Sequence, residues 1–117
     1  MNRPIKFRAW DKEYGMMEVG VINSTTNEVH LKTTTFGVFI GPKRISDIEL
    51  MQFTGLTDKN GKEIYEGDVV EFNQHPAGRE LVKWDKEYSG FLPMADGSSS
   101  DLCEVVGNCF ENPDLLK

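Results

Sequence analysis

Apolar and polar residues alternate with a period of two through much of this sequence. The segment "IKFRAW" near the start puts three apolar side chains on one face and two cations on the other: Ile5, Phe7 and Ala9 against Lys6 and Arg8. "EVHLKT" alternates in the same way, and "DVVEF" and "LVKW" are rich in β-branched or aromatic residues. A period of two is that of a β-strand with one buried face. The chain is therefore predicted to be mainly β.

Clusters of turn-forming residues separate these segments at intervals of about 8–12 residues. They lie at residues 11–15, 23–27, 41–42, 58–61, 75–78 and 96–100. Short strands interrupted this often are typical of small sandwiches and barrels. We predict a small barrel-like or sandwich fold built of hairpins, with at most short helical turns. The 117 residues are long enough to form a core without metal or disulfides, and we predict a single domain over residues 1–117.

One segment, "SDIELM", has features of a helix start. Ser46 and Glu49 have the spacing of a capping box. The stretch before Gly55 is too short for a stable helix, so one helical turn and a strand both fit, and we favour the strand.

The pentapeptide "WDKEY" occurs twice, in "WDKEYG" at residues 10–15 and in "WDKEYSG" at residues 84–90. Each copy stands between two strand-like segments, so we predict the same four- or five-residue hairpin loop in both places. In such a loop the aspartate bonds its own backbone and glycine takes the positive φ angle. Either both hairpins solve one geometric problem, or a small β unit was duplicated and the chain contains two similar β units.

The most polar stretch of the chain, "DKNGKEIYEGD", is predicted to be two turns rather than an active-site loop. Asn60 and Gly61 both tolerate the positive φ angles of a type I′ hairpin turn, and Asp58 can cap that turn. Gly67 is suited to the left-handed conformation of the second turn, and Asp68 then begins the strand through Phe72.

The catalytic alternatives find little support in the sequence. Glu63, Glu66 and Asp68 could form a carboxylate cluster for a metal-dependent hydrolase, but carboxylates at turns are usually solvated. Residues 58–69 do not have the glycine and glutamate positions of a calcium-binding EF-hand loop. His30 and His75 have no nucleophile or carboxylate at motif spacing. We therefore assign no catalytic, cofactor-binding or metal-binding residues and predict that the protein is not an enzyme.

The two cysteines are not predicted to form a disulfide, because a disulfide is unlikely in a reducing compartment. Cys103 and Cys109 match neither a C-x-x-C pair nor a zinc half-site, and we predict buried free thiols. The sequence has no apolar run of about 20 residues and no secretory signal, so a cytoplasmic protein without membrane association is predicted.

Charge is distributed unevenly along the chain and bears on the choice of partner. Residues 1–62 contain nine Lys and Arg against seven Asp and Glu, whereas residues 63–117 contain four against twelve. An acidic chain cannot broadly neutralise phosphates, which argues against nucleic acid as the partner. The asymmetry could favour head-to-tail self-association, but solvated faces explain the charges as well. The twelve aromatic residues could stack single-stranded bases, although a core role fits them better.

Three blocks of the sequence resemble the YopX protein family: "IKFRAWDKEYGMM", "LMQFTGLTDKNGKEIYEGDVV" and "VVGNCFENPDLL". Together they bracket nearly the whole chain, and the middle block is the most specific. The resemblance implies a phage- or prophage-encoded protein in a bacterial host, with a β-rich, barrel-like fold and a capacity for self-association. It implies no biochemical activity and carries over no site residues, because none are assigned in the family.

Taken with the motif-poor sequence, these observations predict a non-catalytic binding or interaction module with a protein partner or a second copy of itself. A nucleic-acid role is the alternative, either by stacking of single strands or by acidic mimicry of DNA. Mimicry would require the twelve acidic residues after Lys62 to form one exposed stripe, not interspersed with Arg79, Lys83 and Lys86.

Overall fold

The computed structural model describes residues 5–33, 37–72, 78–94 and 100–116. The predicted turns at 75–78 and 96–100 lie outside the described residues except for Gly78 and Ser100. Within the described residues the chain is mainly β, as predicted, and its helical segments are short 3₁₀ turns at Ile45–Asp47, Ser100–Leu102 and Pro113–Leu116. The strands form several antiparallel sheets rather than a closed barrel.

Eleven strands are present in the described part of the chain. They are β1 Phe7–Asp11, β2 Gly15–Asn23, β3 Glu28–Thr33, β4 Phe39–Arg44, β5 Glu49–Thr57, β6 Glu63–Tyr65, β7 Asp68–Phe72, β8 Gly78–Leu81, β9 Lys83–Asp85, β10 Gly90–Leu92 and β11 Cys103–Asn108. The "SDIELM" segment contains both structures that the sequence allowed, because the 3₁₀ turn at Ile45–Asp47 is followed by β5.

The described residues divide into two compact units, one over Ile5–Gln52 and the other from Phe53 onward. Strand β5 contributes to both, since Glu49–Gln52 pairs with β1 whereas Phe53 and Thr57 pair with β6. One WDKEY hairpin belongs to each unit. The prediction of a single domain over residues 1–117 stays a prediction.

In the first unit, the strands lie in the order β4-β3-β2-β1-β5, and every pairing is antiparallel. Alternation along the strands buries one face, as the sequence predicted. Val29 and Leu31 are fully buried while His30 between them is exposed. The core is completed by Ala9, Met17 and Ile48. Ile5, which was predicted to share the face of Ala9, precedes β1 and is 82% exposed.

In the second unit, β11, β7 and β8 form a three-stranded sheet, and β9 and β10 form a two-stranded one. The buried core consists of Ile64, Val70, Val82 and Cys103, with Phe72, Phe91, Met94 and Val105 packed against it. Backbone hydrogen bonds from Gly67 N to Val82 O and from Val82 N to Asp68 O fix the turn that precedes β7. Gly67 has φ = 89°, as predicted for this corner.

Gly107 lies at a bulge in β11, and the side chains of Asn112 and Leu115 approach it closely. Both are common reasons for a glycine within a strand. The pairing of β11 with β7 shifts register between Val105 and Gly107. A Cβ atom at Gly107 would come within 2.6 Å of both Asn112 Oδ1 and Leu115 Cδ1. A side chain at position 107 would therefore displace the side chains of Asn112 and Leu115.

Replacement of Gly107 by alanine is expected to lower the free energy of unfolding by about 1–3 kcal/mol, because the side chains of Asn112 and Leu115 must move. Urea unfolding measures the loss. Gly78→Ala is the matched control, because nothing lies within 4 Å of a Cβ atom built there. Equal stability of the two variants would contradict the close approach at Gly107.

Candidate functional site

The buried carboxylate of Asp58 holds the turn between β5 and β6 and connects it to a distant strand. Its Oδ1 accepts hydrogen bonds from the amides of Asn60 and Lys62, both at 2.9 Å, and its Oδ2 accepts one from Val105 N at 2.9 Å. Burial alone would raise the pKa of Asp58, but the hydrogen bonds from Val105, Lys62 and Asn60 outweigh it, and the pKa lies below its usual value. Both carboxylate oxygens of Asp58 thus accept hydrogen bonds from the backbone.

The predicted type I′ geometry of this turn is wrong. Gly61 has φ = 81°, but Asn60 does not have a positive φ angle. The Gly61 amide donates to Asp58 O at 3.0 Å, so Lys59 and Asn60 are the central residues of the turn and Gly61 follows it. The side chain of Asp58 stabilises this arrangement, which the dipeptide Asn-Gly alone does not reveal.

The carboxylates considered for a metal-dependent hydrolase do not assemble into a site. Asp68 is buried, and its Oδ2 accepts a hydrogen bond from Tyr65 N at 2.8 Å, which closes the turn before β7. Among the described residues, no group of three or more His, Cys, Asp and Glu side chains could hold a metal ion. Glu63 and Glu66 therefore do not converge with Asp68 on an ion-binding cluster, and His75 lies outside the described residues.

The thiols are likewise structural. Neither cysteine forms a disulfide, as predicted; Cys103 is fully buried, whereas Cys109 is only partly buried. The Cys103 Sγ atom donates to Ser100 O at 3.3 Å. Burial raises the pKa of the Cys103 thiol, and the negative charge of Asp58 raises it further. A protonated, buried thiol is a poor nucleophile.

Two acidic residues of the second unit lie side by side on its three-stranded sheet, with a cation at each end. Arg79 on β8 bonds Glu71 on β7 at 2.7 Å, and Glu71 is the cross-strand partner of Glu104 on β11. Lys59 Nζ lies 3.9 Å from Glu104 on the far side. A row of two acids closed by a cation at each end is not the unbroken acidic stripe that mimicry of DNA requires.

An open depression of about 610 Å³ lies in the first unit between the β2–β3 loop and the end of β4. It is lined by Thr26, Asn27, Glu28, Arg44, Ile45 and Ser46. Most of these side chains are exposed, and the lining is a mixture of polar and apolar groups. Such a shallow surface lacks the convergent, buried polar groups of a small-molecule site.

The two WDKEY segments form hairpins with the same internal hydrogen bonds, as predicted. In the β1–β2 hairpin, Asp11 Oδ1 accepts from the amides of Glu13 at 2.8 Å and Tyr14 at 3.2 Å. In the β9–β10 hairpin, Asp85 Oδ1 accepts from the amides of Glu87 at 2.8 Å and Tyr88 at 3.3 Å.

The residue with a positive φ angle differs between the two hairpins. It is Gly15 in the first, with φ = 80°, but Ser89 in the second, with φ = 51°. The prediction that glycine takes this position in both copies is wrong for the second. The reason is the inserted serine. Asp11 pairs with Gly15 and Asp85 pairs with Gly90, so the second loop is one residue longer, and Ser89 follows Tyr88 at the position that Gly15 has after Tyr14.

Exposure distinguishes the two hairpins and identifies the second as the candidate interaction surface. Trp84 is 52% exposed and Tyr88 is 58% exposed. The Trp84 ring contacts Phe91 edge-on, with ring centroids 5.2 Å apart, and Phe91 packs against the core of the second unit. Trp84 is thereby held in a fixed position while about half of its surface faces solvent.

The predicted core role of the aromatic residues is confirmed for Phe53, Phe72 and Phe91, which are buried or pack against the core, and is wrong for the four exposed ones, Tyr14, Phe39, Trp84 and Tyr88. Among the described residues, Phe53 is the only buried aromatic of a core that is otherwise aliphatic. Phe39 is 64% exposed, and Phe36 lies outside the described residues.

These features define a small, mainly β protein. Its buried carboxylates accept hydrogen bonds from the backbone of turns and strands, and its second unit presents exposed aromatic residues. The chain belongs to the YopX protein family, which matches residues 6–117. It is also similar to the crystal structure of protein EF1440 from Enterococcus faecalis, with a TM-score of 0.70 and 27% sequence identity over 99% of this chain and 100% of that one. Comparison with curated proteins found no match. In the described residues, no helix is long and apolar enough to cross a membrane.

Proposed function

We propose that this protein is a non-catalytic binding module that contacts a protein partner through the β9–β10 hairpin. The observation that carries the proposal is the joint exposure of Trp84 and Tyr88 on one short hairpin. Trp and Tyr are the residue types most enriched at the energetic centres of protein interfaces. The contact between Trp84 and Phe91 fixes one of these rings before binding, which reduces the entropy lost on association.

The family resemblance extends this proposal to a cellular setting. It implies a phage or prophage origin and a bacterial host cell, and we propose the cytoplasm of that cell as the place of action. The partner is then a host or phage protein, or a second copy of this chain.

Loss of the two exposed rings is expected to abolish partner binding. The Trp84→Ala/Tyr88→Ala double variant should weaken binding to a partner captured from bacterial lysate, or to a second copy, by about 100-fold or more. Calorimetry measures binding to the purified partner, and light scattering after size exclusion measures self-association.

The matched control is Val21→Ala/Phe39→Ala, which removes two exposed apolar side chains from the first unit, 54% and 64% exposed. It should bind as the wild type does. If this control loses binding while the Trp84→Ala/Tyr88→Ala variant keeps it, the interface lies on the first unit and the proposal is wrong. Salt-dependent binding of a single-stranded oligonucleotide that requires Trp84 would instead favour the nucleic-acid alternative.

A further inference from the structure

The β1–β2 hairpin binds a lysine side chain from elsewhere in the same unit. Lys43 on β4 places its Nζ 3.3 Å from Asp11 Oδ2 and 5.4 Å from the centroid of the Tyr14 ring. The ammonium group thus meets a carboxylate oxygen and an aromatic face at once, and both attract a cation. The hydrogen bond to Asp11 raises the pKa of Lys43, in keeping with this contact.

The β9–β10 hairpin carries the same two groups in the same internal geometry. Asp85 Oδ1 accepts the amides of Glu87 and Tyr88 as Asp11 Oδ1 accepts those of Glu13 and Tyr14. In the described part of the chain, no ion pair reaches Asp85 and no cation lies over the Tyr88 ring. The Tyr88 side chain is more exposed than that of Tyr14, at 58% against 47%.

In the β1–β2 hairpin, the lysine of the loop itself is not the lysine that binds the aspartate. Lys12 occupies the loop position next to Asp11, yet the ion pair to Asp11 comes from Lys43. Lys86 stands at the equivalent position next to Asp85. Among the described residues Lys86 forms no ion pair with Asp85, so the second hairpin is open to a cation from another molecule.

From this internal precedent we infer that the β9–β10 hairpin binds a lysine side chain on the partner protein, between the Asp85 carboxylate and the Tyr88 ring. The inference rests on the proposed function and specifies the chemistry of its partner. The charge of the second half of the chain, four cations against twelve acids over residues 63–117, favours such a ligand.

The inference is tested with the whole protein and a blocked tripeptide, acetyl-Gly-Lys-Gly-amide, by NMR of the backbone amides. Single contacts of this kind are weak, so the expected dissociation constant is on the order of tens of millimolar. The amide shifts of Glu87 and Tyr88 per unit of peptide should exceed those caused by the norleucine analogue at equal ionic strength by at least about fivefold. Equal shifts with both peptides, or none with either, would overturn the inference.

Two variants locate the contact. Asp85→Asn should reduce the shifts caused by the lysine peptide at least about threefold. The loop itself is expected to survive, since Asn23 accepts the amides of Thr25 and Thr26 at 3.0 and 3.2 Å in the β2–β3 hairpin. Undiminished shifts in this variant would overturn the role of Asp85.

Lys43→Met should have the opposite effect, because it releases Asp11 and Tyr14 from their internal ligand. The amides of Glu13 and Tyr14 should then respond to the lysine peptide, as they do not in the wild type. If the Lys43→Met chain is folded and these amides stay silent, the hairpin motif does not bind lysine.

The outcomes separate this inference from the proposed function. If the lysine peptide does not bind but a partner requires Trp84 and Tyr88, the lysine inference is wrong and the interface stands. If the lysine peptide binds at Asp85 and partner binding does not require the two rings, the proposed function is wrong and the lysine site stands.

Discussion

Replacing Asp58 by asparagine is expected to lower the free energy of unfolding by about 3 kcal/mol at neutral pH. Asparagine can keep the two bonds that Oδ1 accepts from Asn60 and Lys62, as Asn23 does in its own loop. It places an amide group opposite the Val105 amide, which Asp58 Oδ2 accepts at 2.9 Å. Two donors then face each other in a buried place, and a charge-assisted bond is lost.

The pH dependence of this loss identifies the carboxylate as its cause. The pKa of Asp58 is lowered in the folded protein, so its stabilising contribution is complete above the unfolded value near 4 and disappears as pH falls through the lower folded value. The stability difference between wild type and Asp58→Asn should therefore be largest near pH 7 and shrink below about pH 4. Urea unfolding across this range measures the difference, and a difference independent of pH would show that the ionised group is not responsible.

Asp85→Asn is the matched control for Asp58→Asn. Asp85 accepts two loop amides in the same way, but its turn is exposed and no third, distant donor reaches it among the described residues. We expect a change within about 1 kcal/mol. Hydrogen exchange adds a local readout, because only Asp58→Asn should accelerate exchange of the Val105 amide.

The positions of the turns, although not the exact turn types, were predictable from the sequence because the hydrogen bonds that form them are local. Asp11, Asp58 and Asp85 each bond amides two to four residues ahead, and glycine at position 67 adopts the left-handed conformation its corner needs. Alternation with a period of two then fixed which faces of strands such as β3 are buried. These signals suffice for a mainly β fold of hairpins, which the structure confirms.

Features that depend on distant parts of the chain could not be predicted in the same way. The bond from Val105 to Asp58 spans 47 positions, and no local pattern announces it. The two WDKEY copies share five residues and the hydrogen bonds of their aspartates, yet one receives Lys43 from β4 whereas the other leaves Trp84 and Tyr88 at the surface. What distinguishes a structural hairpin from a candidate interface is therefore a contact from a distant part of the chain, which no local pattern shows.

Truncation of one core side chain in each unit is expected to destabilise the whole protein. Leu31→Ala in the first unit and Ile64→Ala in the second each remove a fully buried side chain and should cost about 2–5 kcal/mol. Both losses should appear in one shared unfolding transition, because β5 pairs with β1 through Glu49–Gln52 and with β6 through Phe53 and Thr57. The exposed Leu102→Ala, 42% exposed in the wild type, should change stability by less than about 0.5 kcal/mol.

The chain contains its own probes for this experiment, because each unit has one of the two tryptophans, Trp10 and Trp84. Replacing one or the other by phenylalanine lets fluorescence follow a single unit in urea. A single domain requires that both probes report the same midpoint, and that Leu31→Ala shift the midpoint seen by Trp84 as much as that seen by Trp10. If Leu31→Ala moves only the Trp10 transition, the units unfold independently. The hairpin with Trp84 and Tyr88 would then belong to a domain that folds without the first unit.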